Sequence, residues 1–361
     1  MKNIAFYLPQ FHEEALNEGV WGREFTDWTT SQNARRLYPG HKQPKKPNFP
    51  RYNLDDAGLT LKQQVEQAKN IGLDGFSYYF YSFAPHLNAL RKPLNGFLSS
   101  DIDFPFLITW ANHSWTKAWV GDHDTVIAKQ RFDNKQVKYF SEELAPFLVD
   151  SRYIHHDGRP VICVLNAKKL DLAFLKKAIS NEYYKLRGVR VDPFLVVPYV
   201  DGGRDSEIDL YIGWPPGDVG LAGMQSFSKL RRIIRHLAKG RGGAKAFKSL
   251  NIGQEDRFLK SQLKAAKKLS MLSFSQTLLT GWDNTPRYGS RGYEIAQNDK
   301  GEYCDLTLDI LKQNRRNKVP FTFIKAWNEW AEGNVMEEPV DGVNYGQLIK
   351  KVLGDLSRDC K

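Results

Sequence analysis

The sequence predicts an α/β protein of the (β/α)8 TIM-barrel class. Short apolar runs recur along the chain with longer stretches of helical period between them, they number eight, and each is continuously apolar rather than alternating. Continuous runs are what parallel strands covered on both faces require. The runs are Ile4–Leu8, Gly75–Tyr81, Phe106–Trp110, Val161–Leu165, Phe194–Val200, Leu210–Trp214, Thr277–Trp282 and Phe321–Trp327. Between them, Leu59–Ile71 carries Leu61, Val65, Ala68 and Ile71 on one helical face, and Lys135–Leu148, Asp171–Leu186, Asp256–Leu269 and Asp305–Leu311 read as further helices. An open doubly wound sheet is the alternative, weakened because no GxGxxG follows the first run and no phosphate-loop signature occurs.

The 361 residues read as one catalytic barrel domain, 1–361, with two long connections. Segment 10–55, rich in Pro and aromatic residues, reads as a lid-like loop. Segment 219–254 reads as a basic insertion with eight Lys and Arg and no acidic residue. In it Phe227, Leu230, Ile233, Ile234 and Leu237 form an apolar helical stripe. That is either a barrel helix with a solvated basic face or, over Lys229–Lys248, a surface for acidic lipid or a phosphate-bearing acceptor.

A hydrophobic content of 41% with 26% charged residues excludes disordered and fibrous classes, and no apolar stretch approaches the ~18 residues of a membrane span. The N-terminus lacks a secretion signal, so a cytoplasmic location is expected, with the basic insertion as a means of peripheral contact with the inner membrane. Three cysteines without CxxC spacing suggest neither a disulfide framework nor a zinc site. The net charge of +11 favours an anionic partner, but no nucleic-acid module is present and nucleic acid is not an expected partner.

In such a barrel the active site lies at the C-terminal ends of the strands. The residues there are Gln10 and His12, then Tyr78, Tyr79 and Tyr81, then Trp110, Asn112, His113 and Trp115, then Trp214, then Asp283 and Asn284, and last Asn328, Glu329, Trp330 and Glu332. Aromatic faces beside amides and carboxylates suit a sugar, whose C–H faces pack on rings while its hydroxyls take directional hydrogen bonds. Packing of the core is the competing reading for each tryptophan, Trp214 included. Glu329 and Glu332, three apart after the last strand and flanked by Trp327 and Trp330, are a candidate acid–base pair for glycosyl transfer. Asp27 is either a substrate ligand or a helix cap. Cation binding is the weaker reading of Glu329, Glu332, Asp283 and the histidines, since no metal-ligand spacing supports it.

The motifs Ile4–His12, Trp21–Thr29, Tyr38–His41, Gly75–Tyr79, Trp110–Thr116, Gly281–Arg287 and Trp327–Gly333 resemble the WbsX group, which is related to glycoside hydrolase family 99. The resemblance covers nearly the whole chain. It implies a (β/α)8 carbohydrate-active enzyme, either an endo-acting α-mannosidase-like hydrolase or a bacterial glycosyltransferase of O-antigen, lipopolysaccharide or capsule synthesis. It also implies retention through a 1,2-anhydro sugar without metal or organic cofactor, with Glu329 deprotonating the sugar 2-hydroxyl and Glu332 acting as acid and then base. Tyr7, Trp28 and Trp327, which stand in these motifs, complete the expected substrate-binding set. His113 departs from the Glu that many relatives carry after Asn112, which bears on the neighbouring subsite.

Three functions follow as expectations: a retaining endo-glycosidase on α-mannose-like glycans, a glycosyltransferase acting on a lipid-linked acceptor, and a non-catalytic carbohydrate-binding protein.

Overall fold

The computed structural model describes residues 1–361 apart from 57, 85–86, 121, 123, 201–203, 217–251, 298 and 359–361. Its parallel strands are β1 (Lys2–Tyr7), β2 (Gly75–Ala84), β3 (Phe106–Trp110), β4 (Arg159–Val164), β5 (Phe194–Pro198), β6 (Leu210–Ile212), β7 in two pieces (Phe274–Ser275 and Leu278–Leu279) and β8 (Phe321–Lys325). Neighbours in sequence are neighbours in space, and Ile4 of β1 lies opposite both Gly75 of β2 and Phe323 of β8. The first piece of β7 pairs with β6 and the second with β8, so the chain across 274–279 closes the ring. This is the (β/α)8 architecture.

The seventh run begins earlier than its apolar pattern predicts, and it is interrupted. Asn314, from the helix Lys300–Arg316, accepts from the Gln276 backbone N–H at 2.8 Å and donates to its C=O at 2.9 Å. A side chain thus takes the bonds a neighbouring strand would make, which ordinary hydrophobic periodicity does not reveal. The helix Leu59–Ile71 has the predicted bounds, whereas the one predicted over Asp305–Leu311 extends to Lys300–Arg316. The basic stripe around Ile233, with Lys229–Lys248, lies outside the described residues. No described helix is long and apolar enough to cross a membrane.

Strand alternation decides which predicted site residues face the barrel axis. Along β2, Ser77 reaches Thr109 of β3 across the interior, and Tyr79 stacks on Phe6 of β1. Tyr78 points the other way, against Phe97 of the helix Arg91–Leu98. Tyr7 likewise leaves the axis to hydrogen-bond Gln64 of the helix Leu59–Ile71. Trp110 stacks on Phe140 of the helix Asn134–Leu148 at 3.9 Å. Tyr7, Tyr78 and Trp110 therefore belong to the layer between sheet and helices, not to the mouth.

Segment 10–55 is stitched to the mouth. It holds the helices Ala15–Trp21 and Asp27–Gln32, the Asn48 N–H donates to the Glu338 C=O at 2.9 Å, and the Leu54 N–H donates to the Phe11 C=O at 2.8 Å. Its contacts continue into the candidate site below.

At Gly75 the first residue of β2 lies close against main chain, and a Cβ there would sit 2.7 Å from the Pro105 carbonyl oxygen. Gly75→Ala is expected to lower stability by about 1–3 kcal/mol, because the obstacle is main chain that cannot rotate away. Urea unfolding followed by circular dichroism measures it, and an unchanged midpoint would contradict the packing described.

Candidate active site

The chain leaves β8 at Lys325, and Asn328, Glu329 and Trp330–Glu332 follow as a short strand and a single 3-10 turn. The turn ends on Gly333 at φ 61°, and a Cβ there would come within 3.0 Å of Asp283. Glycine is favoured by both the left-handed backbone and the close approach. Asn328 donates to the Leu8 C=O at 3.0 Å and accepts from its N–H at 2.8 Å, tying the turn to the end of β1. The Ala331 N–H donates to Asp27 at 3.0 Å.

These constraints present Glu329 and Glu332 together. Tyr79 donates to Glu329 Oε1 at 2.8 Å, and Arg287 Nη1 donates to Glu332 Oε1 at 2.6 Å. Arg287 also pairs with the buried Asp27 at 3.5 Å. Lys325 Nζ lies 3.4 Å from Glu332 and 3.8 Å from Glu329. The two carboxyls are within hydrogen-bonding contact of one another.

Their environments differ in sign. Burial, reinforced by the neighbouring Glu332, pushes the Glu329 carboxyl well above the usual carboxylate range. Burial acts on Glu332 too, but Arg287 and Lys325 outweigh it and hold that carboxyl well below the usual range. The two carboxyls titrate as a coupled pair, with the proton favoured on the Glu329 side. Arg287 and Lys325 stay charged, because the carboxylates beside them outweigh the cost of burial.

Around the pair, Trp214 lies edge-on to Phe6 at 4.9 Å and Lys325 sits over the faces of Trp214 and Trp282 at 5.2 and 5.0 Å. Trp214, expected equally to pack the core, is half-buried at the mouth. His113 is exposed at the rim, edge-on to Tyr81 at 5.6 Å.

The structure brings Glu329, Glu332 and Tyr79 together, with Trp214 beside them and His113 at the rim, and places the following predicted residues in the scaffold. Asn112 exchanges hydrogen bonds with the backbone of Asn166, and Asn284 accepts from the Tyr293 N–H at 2.6 Å. Trp115 is buried and donates to Asn17, while Trp28 is buried among Phe11, Tyr52 and Trp330. Trp327 is fully buried against Phe76. Gln10 is fully buried with neither amide atom hydrogen-bonded, and its C=O accepts from the Asp27 N–H. These residues fix the mouth from behind because each fills its hydrogen-bonding capacity, or its surface, with protein.

Asp283 is also behind the turn. It accepts from Gln43 at 2.6 Å, His41 at 3.0 Å and the Thr285 hydroxyl at 2.7 Å. His41, Asp283 and Glu294 cluster as a cation site would. However, His41 Nδ1 accepts from the Leu37 N–H at 3.1 Å, which leaves the proton on Nε2, facing Asp283, and Tyr38 donates to Glu294. The group is a filled hydrogen-bond cluster, and Lys45 joins it to the Gly333 carbonyl at 3.0 Å.

Lys325 was not among the predicted site residues, although a charged residue ending an otherwise apolar buried strand is a legible signal. Arg287 stood in a quoted motif without a role. Glu337 left no such signal: it accepts from Trp330 at 2.7 Å, Gln64 at 2.7 Å and Tyr52 at 3.0 Å, drawing three elements together beneath the turn.

Known proteins resemble this chain over nearly its whole length. The profile of the family described as "Glycosyltransferase WbsX" matches residues 3–349. The chain belongs to this family. The uncharacterized protein WxcX of Xanthomonas campestris pv. campestris is 27% identical over 345 residues, covering 92% of this chain and 47% of WxcX. The chain thus spans about half the length of the curated relatives it matches. Among solved structures, the GH99 endo-alpha-mannosidase from Bacteroides thetaiotaomicron aligns with a TM-score of 0.58 at 12% identity, over 99% of this chain and 98% of that one. A chain described as a glycoside hydrolase-like protein aligns at 0.56 and 12% identity, over 98% and 93%. The WbsX chain therefore shares its fold with glycoside hydrolases, and family and fold are both those of carbohydrate-active enzymes.

Burial, opposed by its three donors, pushes the Glu337 carboxyl up to about 7. The native state then keeps a proton that the unfolded chain releases near about pH 4.3, so this stabilisation is complete below that value and is lost as pH rises through about 7. Glu255, pushed up to about 7 by burial, adds a slope of the same sign. The melting temperature is expected to fall from about pH 5 to about pH 8, and to fall less in Glu337→Gln, which cannot titrate. Equal slopes in thermal melts of the two proteins would refute this account of Glu337.

Proposed function

We propose that this WbsX protein catalyses glycosyl transfer at the β8 mouth, with Glu329 and Glu332 as the reacting pair and an α-linked, mannose-like glycan as substrate. The observation that carries the reading is the pair itself: two carboxyls in contact on a rigid turn, oppositely perturbed, among aromatic side chains.

In the retaining route that the family resemblance suggests, Glu329 takes the proton of the sugar 2-hydroxyl. That oxygen attacks the anomeric carbon, the glycosidic C–O bond breaks, and the departing oxygen takes a proton from Glu332. The opposite perturbations of the pair favour the proton on the Glu329 side. These roles therefore require it to cross the hydrogen bond to Glu332 once substrate is bound, before Glu329 acts as base. Water or an acceptor hydroxyl then attacks the anomeric carbon as its proton passes to Glu332, the bond from that carbon to O2 breaks, and O2 takes back its proton from Glu329. Tyr79, bonded to Glu329, and Arg287, bonded to Glu332, orient the two carboxyls throughout.

The second reading, a glycosyltransferase of O-antigen or capsule synthesis, uses the same pair with an acceptor hydroxyl in place of water. The family's description favours it. A lipid-linked acceptor and inner-membrane contact through Lys229–Lys248 belong to this reading, and that segment lies outside the described residues.

Mass spectrometry of products, from α-manno-oligosaccharides and separately from nucleotide sugars with a lipid-linked acceptor, distinguishes them. New reducing ends without nucleotide release are expected of the hydrolase, and acceptor extension with nucleotide release of the transferase. Glu332→Gln is expected to cost about 10²–10⁴-fold in either reaction. Full activity in that variant would remove Glu332 from the mechanism, and glycan binding without turnover by wild-type protein would leave a carbohydrate-binding function instead.

A further inference from the structure

Lys325 is the last residue of β8 and its side chain is buried within the mouth. Its ammonium lies 3.4 Å from Glu332 Oε2 and 3.8 Å from Glu329 Oε2, so one cation bridges both carboxyls. The Trp214 and Trp282 rings flank it at 5.2 and 5.0 Å. Two aromatic faces stabilise a cation where it stands and keep it from swinging out to water. Arg287 is placed differently, its guanidinium divided between Glu332 and Asp27.

The groups facing Lys325 are Glu329 and Glu332 from the turn and Arg287 from the helix Thr285–Tyr288, with Asp27 behind Arg287, while the Tyr79 and Tyr81 hydroxyls approach the two carboxyls from β2. Lys325 and Arg287 contribute two positive charges. Asp27 and one ionised glutamate contribute two negative ones. The cluster is neutral only when the other glutamate holds a proton, and a buried cluster is held strongly to neutrality.

We propose that Lys325 is a positioning residue that fixes the Glu329–Glu332 pair in its singly protonated form, the form in which one member can act as acid while the other acts as base. The proposal rests on the reading of this pair as the reacting groups. Without the lysine charge the cluster regains neutrality by taking up a second proton, and the pair loses its base. The directions of the perturbations agree: Lys325 lowers the proton affinity of both carboxyls, and both in turn hold Lys325 charged.

The test is the titration of the two carboxyls in the ligand-free full chain, read from ¹³C shifts of labelled glutamate and assigned with Glu329→Gln and Glu332→Gln. In wild-type protein, one carboxyl is expected ionised and one protonated at neutral pH; two ionised carboxyls would overturn the proposal. In Lys325→Met the ionised carboxyl is expected to titrate at least one pH unit higher, a tenfold or greater gain in proton affinity. Lys325→Gln, a polar side chain without the charge, should shift the same way, and Lys325→Arg should stay near wild type.

An unshifted titration in a folded, neutral variant overturns the proposal, as does an arginine variant that behaves like methionine. For whichever glycan the wild type turns over, the acid limb of kcat/KM should move to higher pH with the carboxyl, whereas a purely structural role would lower kcat/KM equally at every pH. If no glycan is turned over, the assignment of the reaction fails, while the ligand-free titration still decides the role of Lys325.

Discussion

Two carboxyl groups in contact at a mouth largely closed to water constrain everything around them. Neither Glu329 nor Glu332 is sequestered cheaply, and both cannot be ionised there without compensating charge. Arg287 and Lys325 supply that charge from opposite directions, one from the loop after β7 and one from the end of β8. Both cations need fixing in turn. Asp27 engages Arg287 from the first long connection, and the Trp214 and Trp282 rings flank Lys325. The electrostatics of one pair thus reach β2, β6, β7, β8 and segment 10–55.

Precision comes from a further layer. Hydrogen bonds from Trp330, Gln64 and Tyr52 converge on Glu337, while His41, Gln43 and Thr285 converge on Asp283. Each buried carboxyl is surrounded by donors from separate parts of the chain, so displacing the turn would leave buried polar groups unpaired, at a cost above that of an ordinary hydrogen bond. Gly333 fits between Lys45 and Asp283, where a Cβ would come within 3.0 Å of both. This explains why many polar and aromatic residues near the strand ends serve as support: a rigidly held carboxyl pair requires more side chains behind it than in front of it.

The tryptophans illustrate the limit of reasoning from residue type. Trp110 and Trp327 occupy the strand ends where a sugar platform is expected, and both are buried against Phe140 and Phe76. Trp214 and Trp282, the first as readily read as core, stand instead beside the lysine. A ring's chemistry is the same in either setting, and only the side of the sheet to which its Cβ points separates them. The same parity sends Tyr79 to Glu329 and Tyr78 into the helix layer, though the residues are adjacent.

The sequence alone determined the barrel class, because continuous apolar runs separated by helical stretches admit few other arrangements, and it determined where along the chain the glutamate pair falls. Its ordered motifs also carried the family resemblance. Tertiary structure decided what periodicity cannot carry: the break in β7 imposed by Asn314, the distribution of aromatic residues between mouth and core, and the convergence of Lys325, Arg287 and Asp27 on two carboxyls. The physical reason is range. Hydrophobic pattern and local motif are properties of neighbours in sequence, whereas the compensation of a buried charge is a property of neighbours in space, and Asp27 and Glu332 become such neighbours only when the barrel closes.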